Sequence, residues 1–138
     1  MSAVERQGQL MGFMVSTDAD LVEKVRQGIP SIRIQKFVDL GYDRSEIIKL
    51  VGASSTVERK IKDHAKLSKT ESDRLARVAR VVALAERMFG NKEKARKWLE
   101  RPSRQLETHL PPIKMLDTDH GTKLVEERLY QIGYGMFA

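Results

Sequence analysis

The chain has 138 residues, of which 41% are hydrophobic and 32% charged, with a formal net charge of +6 and no cysteine. This composition is typical of a globular, cytoplasmic protein, and it excludes a disulfide framework and a thiolate metal site. No apolar run approaches the roughly 18 residues of a membrane-spanning helix, so we expect no membrane association.

Apolar periodicity predicts helices throughout the N-terminal part of the chain. Residues 10–15 form an apolar patch, which we expect to be an arm that packs on the domain or on another subunit. After this patch, apolar residues spaced as on one helix face predict helices at Asp18–Gln27, with Val22 on the inner face, and at Ser31–Leu40. No convincing strand pattern is present, so we expect an all-α fold.

Two short helices separated by a glycine follow. Asp43, with Glu46 three residues later, is typical of a helix N-cap, and this helix should end at Gly52. Ser55 and Glu58 offer a second capping pair for the next helix. Short helices joined by a tight turn, with apolar faces inside and cations outside, are typical of a helix-turn-helix motif that binds DNA.

The second of these helices opens a basic stretch of the sequence. Residues 59–80 carry eight cations and three carboxylates, a concentration of positive charge that favours a polyanion such as nucleic acid. A solvated helix face is the alternative. In a helix-turn-helix the second helix enters the major groove by its N-terminal end. The candidate DNA-binding residues are therefore Ser54, Ser55, Thr56, Arg59, Lys60, Lys62 and Lys66.

The second half of the chain is also predicted to be helical. Ser68 and Glu71 have capping-box spacing and begin the longest helix, which should end at Gly90. After Arg80 this helix is apolar nearly all round, so it must be covered on both sides. Three shorter helices are expected after it, at Asn91–Glu100, at Ile113–Leu116, and from a cap at Asp117 or Thr118 to the C-terminal glycines.

The chain closes with an apolar tail, residues 133–138, in which aromatic side chains alternate with glycines. Terminal residues of a soluble protein are usually polar, because they bury too little surface to offset the entropy of ordering. Such a tail is better explained if a partner buries it, with packing on the chain's own core as the alternative.

No catalytic arrangement is evident in the sequence. His64, His109 and His120 are not spaced as metal ligands, and His120 lies beside helix-capping acids. Neither a phosphate-binding glycine loop nor a nucleophile–histidine–acid pattern is present. We therefore expect a binding protein without a cofactor or metal, and not an enzyme.

An ordered set of short motifs runs through the second half. The set comprises residues 74–78 (RLARV), Ala85, 89–90 (FG), 98–102 (WLERP), 112–118 (PIKMLDT), Gly121, Val125, Leu129, Ile132 and 134–135 (YG). In order and spacing these motifs resemble the antitoxin domain of the MbcA/ParS/Xre antitoxins, and the resemblance covers roughly residues 68–138. The Xre-type members carry a helix-turn-helix in front of this domain.

This resemblance implies a bacterial antitoxin with two activities. Its C-terminal domain would bind a toxin of the RES-domain class and block the toxin's active site. Toxins of this class consume NAD or transfer a group from it. Its helix-turn-helix would bind operator DNA and repress the operon, as a homodimer. The implied division is an arm at residues 1–17, a helix-turn-helix domain at 18–67 and a toxin-binding domain at 68–138.

Several residues are candidates for toxin contact. They are Trp98, Lys123, Glu127, Tyr134, Gly135, Met136, Phe137 and Ala138. Core packing is the alternative for Trp98, and a solvated helix face is the alternative for Lys123 and Glu127. The alternative function for the whole chain is a stand-alone dimeric helix-turn-helix regulator without a toxin partner.

Overall fold

The computed structural model describes residues 1–104, 106 and 108–135. Over these residues the structure consists of helices and turns without a named strand, and the predicted all-α fold is confirmed. The α-helices are α1 (Ala3–Leu10), α2 (Asp18–Gln27), α3 (Ile34–Asp39), α4 (Arg44–Val51), α5 (Ser54–Lys62), α6 (Lys69–Phe89), α7 (Lys92–Glu100) and α8 (Asp119–Gly133). Two 3₁₀ helices lie at Ser31–Arg33 and Pro112–Asp117.

Side-chain caps fix where most of these helices begin. Asp43 caps α4 by accepting a hydrogen bond from the Glu46 amide at 2.9 Å, as the sequence predicts. Asn91 and Thr118 cap α7 and α8 in the same way. Each cap satisfies a backbone donor that has no partner within its helix.

The predicted capping pair of α5 is wrong. This helix begins at Ser54 with Ala53 as its N-cap, and no side chain caps it. Ser55 therefore lies inside the helix and not at its cap position, and the Glu58 carboxylate accepts hydrogen bonds from the Arg44 guanidinium of α4, one of them at 2.9 Å. An ion pair between the two helices therefore replaces the local cap.

The chain divides into two compact units, Met1–Arg80 and Val81 onward, so that the division falls inside α6. In the first unit, Leu10 and Met11 are fully buried, and the Gln7 side chain donates a hydrogen bond to the Ala76 carbonyl at 2.8 Å. Leu10, Met11 and Val15 of the apolar patch near the N-terminus thus pack on the unit that contains them, whereas Met14 is fully exposed. Val22, predicted to face inward on α2, is instead 48% exposed.

A backbone clasp in the first unit holds the segment after α5 in place. The Leu67 amide donates to the Ile29 carbonyl at 2.8 Å, and the Ser31 amide donates to the Ala65 carbonyl at 3.0 Å. Gly28 makes this approach possible, because its φ is +94° and a Cβ there would lie 2.8 Å from the Leu67 carbonyl oxygen. The clasp fixes where α5 ends and α6 begins.

The second unit is built on the C-terminal half of α6. Residues 81–85 of this helix are all buried, in agreement with the apolar sequence after Arg80. The 3₁₀ helix Pro112–Asp117 packs closely on α8, since a Cβ on Gly121 would lie 2.2 Å from the Met115 carbonyl oxygen. Gly133 likewise lies against the Met88 side chain, so the end of α8 is held on α6.

Candidate functional site

The first candidate site is the corner formed by α4 and α5. Gly52 and Ala53 join the two helices, and Val51 and Val57 are fully buried on either side of this turn. Gly52 also allows close packing, because a Cβ there would lie 3.3 Å from both the Glu71 carboxylate and the Val57 side chain. The geometry is that of two helices which share a small core and present the outer face of α5 to solvent.

Most of the candidate DNA-binding residues are exposed on α5 or shortly after it. Ser54 and Ser55 are exposed in the first turn of α5, where no side chain caps the backbone amides, and Thr56 is half-buried behind them. Arg59, Lys62 and Lys66 are exposed further along. Hydroxyls, backbone amides and cations of this kind are the groups that contact DNA phosphates.

Lys60 differs from its neighbours, because it is already engaged within the first unit. Its ammonium donates to the Glu71 carboxylate of α6, and the two side chains are only 23% and 11% exposed. The same carboxylate accepts the Ser68 amide at 2.8 Å, while the Ser68 hydroxyl accepts the Glu71 amide at 3.1 Å. The predicted capping box is thus present, and Lys60 ties α5 to it.

This arrangement keeps Glu71 ionised. Burial of the carboxyl acts to raise its pKa, but the ion pair with Lys60 and the hydrogen bonds with Ser68 outweigh burial and leave the pKa below its usual value. On the opposite side of α5, the exposed pair with Arg44 lowers the pKa of Glu58. α5 is thus linked to both neighbouring helices by ion pairs, of which the one with Glu71 is the less exposed.

The second candidate site is the outer face of α8. Lys123, Glu127, Tyr130 and Tyr134 are all exposed, and their spacing of four, three and four residues puts them on one face. The rings of Tyr130 and Tyr134 stack at 6.3 Å between centroids, with 45% and 72% of each residue exposed. The opposite face of the helix, with Val125 and Leu129, is fully buried.

Trp98 lies at a third place on the second unit, an open groove of about 530 Å³. The indole is half-buried and packs on Phe89, with the ring centroids 5.9 Å apart and the planes tilted by 47°. Trp98 therefore packs within its own unit and also borders the groove. The groove's other described lining residues are Lys94, Lys97, Arg101, Pro102, Ser103, Arg104 and Ile132.

Comparisons with known proteins agree with a binding role for the second unit. Residues 84–135 match the family model of the antitoxin Xre/MbcA/ParS C-terminal toxin-binding domain. The chain is 35% identical to an Antitoxin Xre of Pseudomonas putida, over 88% of this chain and 77% of the relative. It is 30% identical to an Antitoxin Xre of Photorhabdus laumondii, over 91% of this chain and 86% of the relative.

The chain belongs to the Xre/MbcA/ParS family of antitoxins. It is the antitoxin of a toxin–antitoxin system, and its C-terminal part is a toxin-binding domain. An Antitoxin Xre of Yersinia enterocolitica, 27% identical, is similar over 93% of this chain and 88% of its own length. These matches extend over both units, so the antitoxin resembles its relatives beyond the toxin-binding domain.

The toxin-binding domain of this antitoxin contains the described toxin-contact candidates. Trp98, Lys123, Glu127, Tyr134 and Gly135 all fall within residues 84–135. The remaining candidates, Met136, Phe137 and Ala138, lie outside the described residues. Among the described residues, no helix is long and apolar enough to cross a bilayer.

Sequence reasoning missed one residue of the α8 face. Tyr130 is absent from the predicted toxin-contact residues, although it lies three residues after Glu127 and four before Tyr134. That spacing is the signal that could have found it, because residues three and four apart share a helix face. In the antitoxin structure, Tyr130 completes the exposed aromatic pair.

Proposed function

We propose that this antitoxin neutralises a RES-domain toxin by blocking its active site, and that it represses its own operon by binding operator DNA as a homodimer. The NAD chemistry would belong to the toxin. We propose the functional limits 1–17 for the arm, 18–67 for a helix-turn-helix domain and 68–138 for the toxin-binding domain. The RES class is proposed from the resemblance of motifs in the second half of the chain.

One observation supports toxin binding through α8 above the others. Two stacked tyrosines lie exposed on a helix whose opposite face is fully buried, within the region that matches a toxin-binding domain. Aromatic side chains dominate the affinity of many protein interfaces, because they bury a large apolar area. We propose that Lys123 and Glu127 lie at the edge of this contact and that residues 134–138 extend it.

The test of this contact is affinity for the toxin. We expect Tyr130→Ala with Tyr134→Ala to weaken binding by about 2 kcal/mol or more, which is roughly 30-fold in Kd. Since both rings are largely exposed in the isolated chain, the thermal midpoint should change little. Titration calorimetry with a catalytically inactive RES-domain toxin measures the first quantity. Unchanged affinity would remove this face from the toxin contact.

The tail has its own experiment. We expect deletion of residues 134–138 to abolish neutralisation while leaving the helical content unchanged. Growth of cells that express the toxin measures neutralisation, and circular dichroism measures helicity. A truncated chain that still rescues these cells would show that the tail is dispensable.

For DNA binding, the exposed basic surface of α5 supports the proposal. We assign Arg59, Lys62 and Lys66 to phosphate or base contact, with Ser54, Ser55 and Thr56 at the N-terminal end of the helix. Lys60 receives a positioning role instead, because its ion pair with Glu71 holds α5 against α6.

The operator experiment uses salt dependence as its readout. Arg59→Ala with Lys62→Ala should weaken operator binding, and the slope of log K against log salt should fall by about 0.9 for each phosphate that the protein no longer neutralises. Arg26→Ala with Lys36→Ala is the control, since both residues are exposed cations of the first unit that belong to α2 and α3. If the two pairs have equal effects, the α5 surface contributes to operator binding only through general positive charge.

A further inference from the structure

The groove beside Trp98 combines an apolar floor with a basic rim. Phe89, Trp98 and Ile132 contribute apolar surface, and the rim carries Lys94, Lys97, Arg101 and Arg104. No carboxylate is found among the lining residues that the structure describes. Four cations around an apolar surface create a positive field, which favours an anionic partner.

We infer that this groove receives an acidic segment of the toxin, with an apolar side chain of that segment seated on Trp98. Its carboxylates would pair with the surrounding cations. The inference rests on the proposed toxin binding and adds a second contact, on α7 and the loop after it, to the one on α8.

Charge complementarity selects the occupant. An apolar partner alone would cover the four cations without replacing the water around them, which is costly. Carboxylates remove that cost, and the guanidinium groups of Arg101 and Arg104 can bind them through two parallel hydrogen bonds. Lys97 already pairs with Glu93 of its own helix at 3.2 Å, so the proposed pairing with the toxin falls mainly to Lys94, Arg101 and Arg104.

The position of the groove favours the toxin over DNA as its partner. The described lining residues fall between Phe89 and Ile132, inside the toxin-binding match at residues 84–135. The candidate DNA-binding residues belong to the other unit. An aromatic side chain in a pocket surrounded by polar groups is also the usual form of an energetic centre in a protein interface.

Trp98 offers a direct readout, because it is the single tryptophan of the chain. Full-length antitoxin labelled with fluorotryptophan gives one fluorine NMR resonance, which reports on the groove. We expect this resonance to shift when unlabelled, catalytically inactive RES-domain toxin from the neighbouring reading frame is added. Toxin that binds by calorimetry and leaves the resonance in place would overturn the inference while the proposed function stands.

Charge variants test the rim. Arg101→Glu with Arg104→Glu should weaken toxin binding roughly tenfold or more and reduce its salt dependence. Lys92→Glu with Lys114→Glu makes the same change in net charge at exposed positions of the second unit outside the groove, and should stay within about twofold of the wild type. If the reversed pair does not fold, Arg101→Gln with Arg104→Gln replaces it, with a smaller loss in the same direction.

Three results would show that something other than the toxin occupies the groove, and each would overturn the inference. A resonance that shifts with the concentration of the antitoxin alone would indicate a second copy, and one that shifts with operator duplex would indicate DNA. A shift caused by removing residues 136–138 from the isolated chain would indicate its own tail. If the wild-type chain binds no RES-domain toxin in calorimetry, the proposed function and this inference fail together.

Discussion

The ion pair between Lys60 and Glu71 provides the most decisive test of how α5 is held. Replacing Glu71 with alanine removes the acceptor of the Ser68 amide and the partner of Lys60 in one step. With Glu71 only 11% exposed and Lys60 23%, water replaces these partners poorly. An unsatisfied group of this kind costs about 1–3 kcal/mol, and we expect Glu71→Ala to destabilise the first unit by about 2–3 kcal/mol.

Glu58→Ala is the matched control, because it breaks the other ion pair of the same helix. The Arg44 and Glu58 side chains are 41% and 46% exposed, so solvent takes over both charges when the pair is broken. Little measurable loss of stability is therefore expected. Amide hydrogen exchange in α5 measures the local free energy of opening for both variants and for the wild type.

The pH dependence of stability in wild type and Glu71→Gln separates the contribution of the Glu71 charge from that of its side-chain shape. The folded-state pKa of Glu71 lies below the ordinary value of 4.5, so the stability due to its ionised form is fully present above 4.5. This stability is lost as the pH falls through the lower, folded-state pKa. The difference in the free energy of unfolding between wild type and Glu71→Gln should therefore disappear at acidic pH. A difference in unfolding free energy that does not depend on pH would refute the reasoning. A loss of stability in Glu58→Ala as large as that in Glu71→Ala would refute it too.

Three further predictions concern stability. Gly121→Ala should lower the thermal midpoint by an amount equivalent to about 2 kcal/mol or more, because its Cβ would lie 2.2 Å from a backbone oxygen. The control is Gly90→Ala, whose Cβ meets nothing within 4 Å and whose cost comes only from its φ of +65°; equal losses would contradict the packing argument. Asp43→Ala should cost about 1 kcal/mol in urea unfolding, and Asp43→Asn, which keeps the cap acceptor, should cost much less. Finally, Val22→Lys should be tolerated and Leu21→Lys should unfold the chain, as judged by circular dichroism, since these residues are 48% and 6% exposed.

The sequence predicts the helices of this chain well where local chemistry decides them. The caps at Asp43, Ser68 and Thr118 act within three residues, so a short window of sequence contains the whole interaction. Ser55 and Glu58 have the same spacing, but α5 begins one residue before Ser55, and Arg44, fourteen residues before Glu58, takes the Glu58 carboxylate. A competitor at that distance cannot be seen in a local pattern.

The residues of the candidate sites can likewise be predicted from sequence only where local periodicity decides their position. Exposed cations on α5 follow from helical periodicity, whereas the partner that takes Lys60 comes from another helix. Val22 shows the same limit, because periodicity says which residues share a face and tertiary packing decides how much of that face is covered. The groove beside Trp98 cannot be predicted from local patterns, since its lining comes from three helices and a loop.

The turn of α6 at residues 81–85 has a consequence for separating the two proposed activities. Five successive buried positions, at about 100° each, pass around the whole circumference of the helix. The toxin-binding match begins at residue 84, within this turn. A fragment cut there would lose the carbonyls of residues 80–83, which accept the amides of the next four residues, and the first two of these four are buried in the intact chain. A cut within this turn therefore does not separate the two proposed activities cleanly, and point substitutions on each surface of the intact chain are the better way to dissect them.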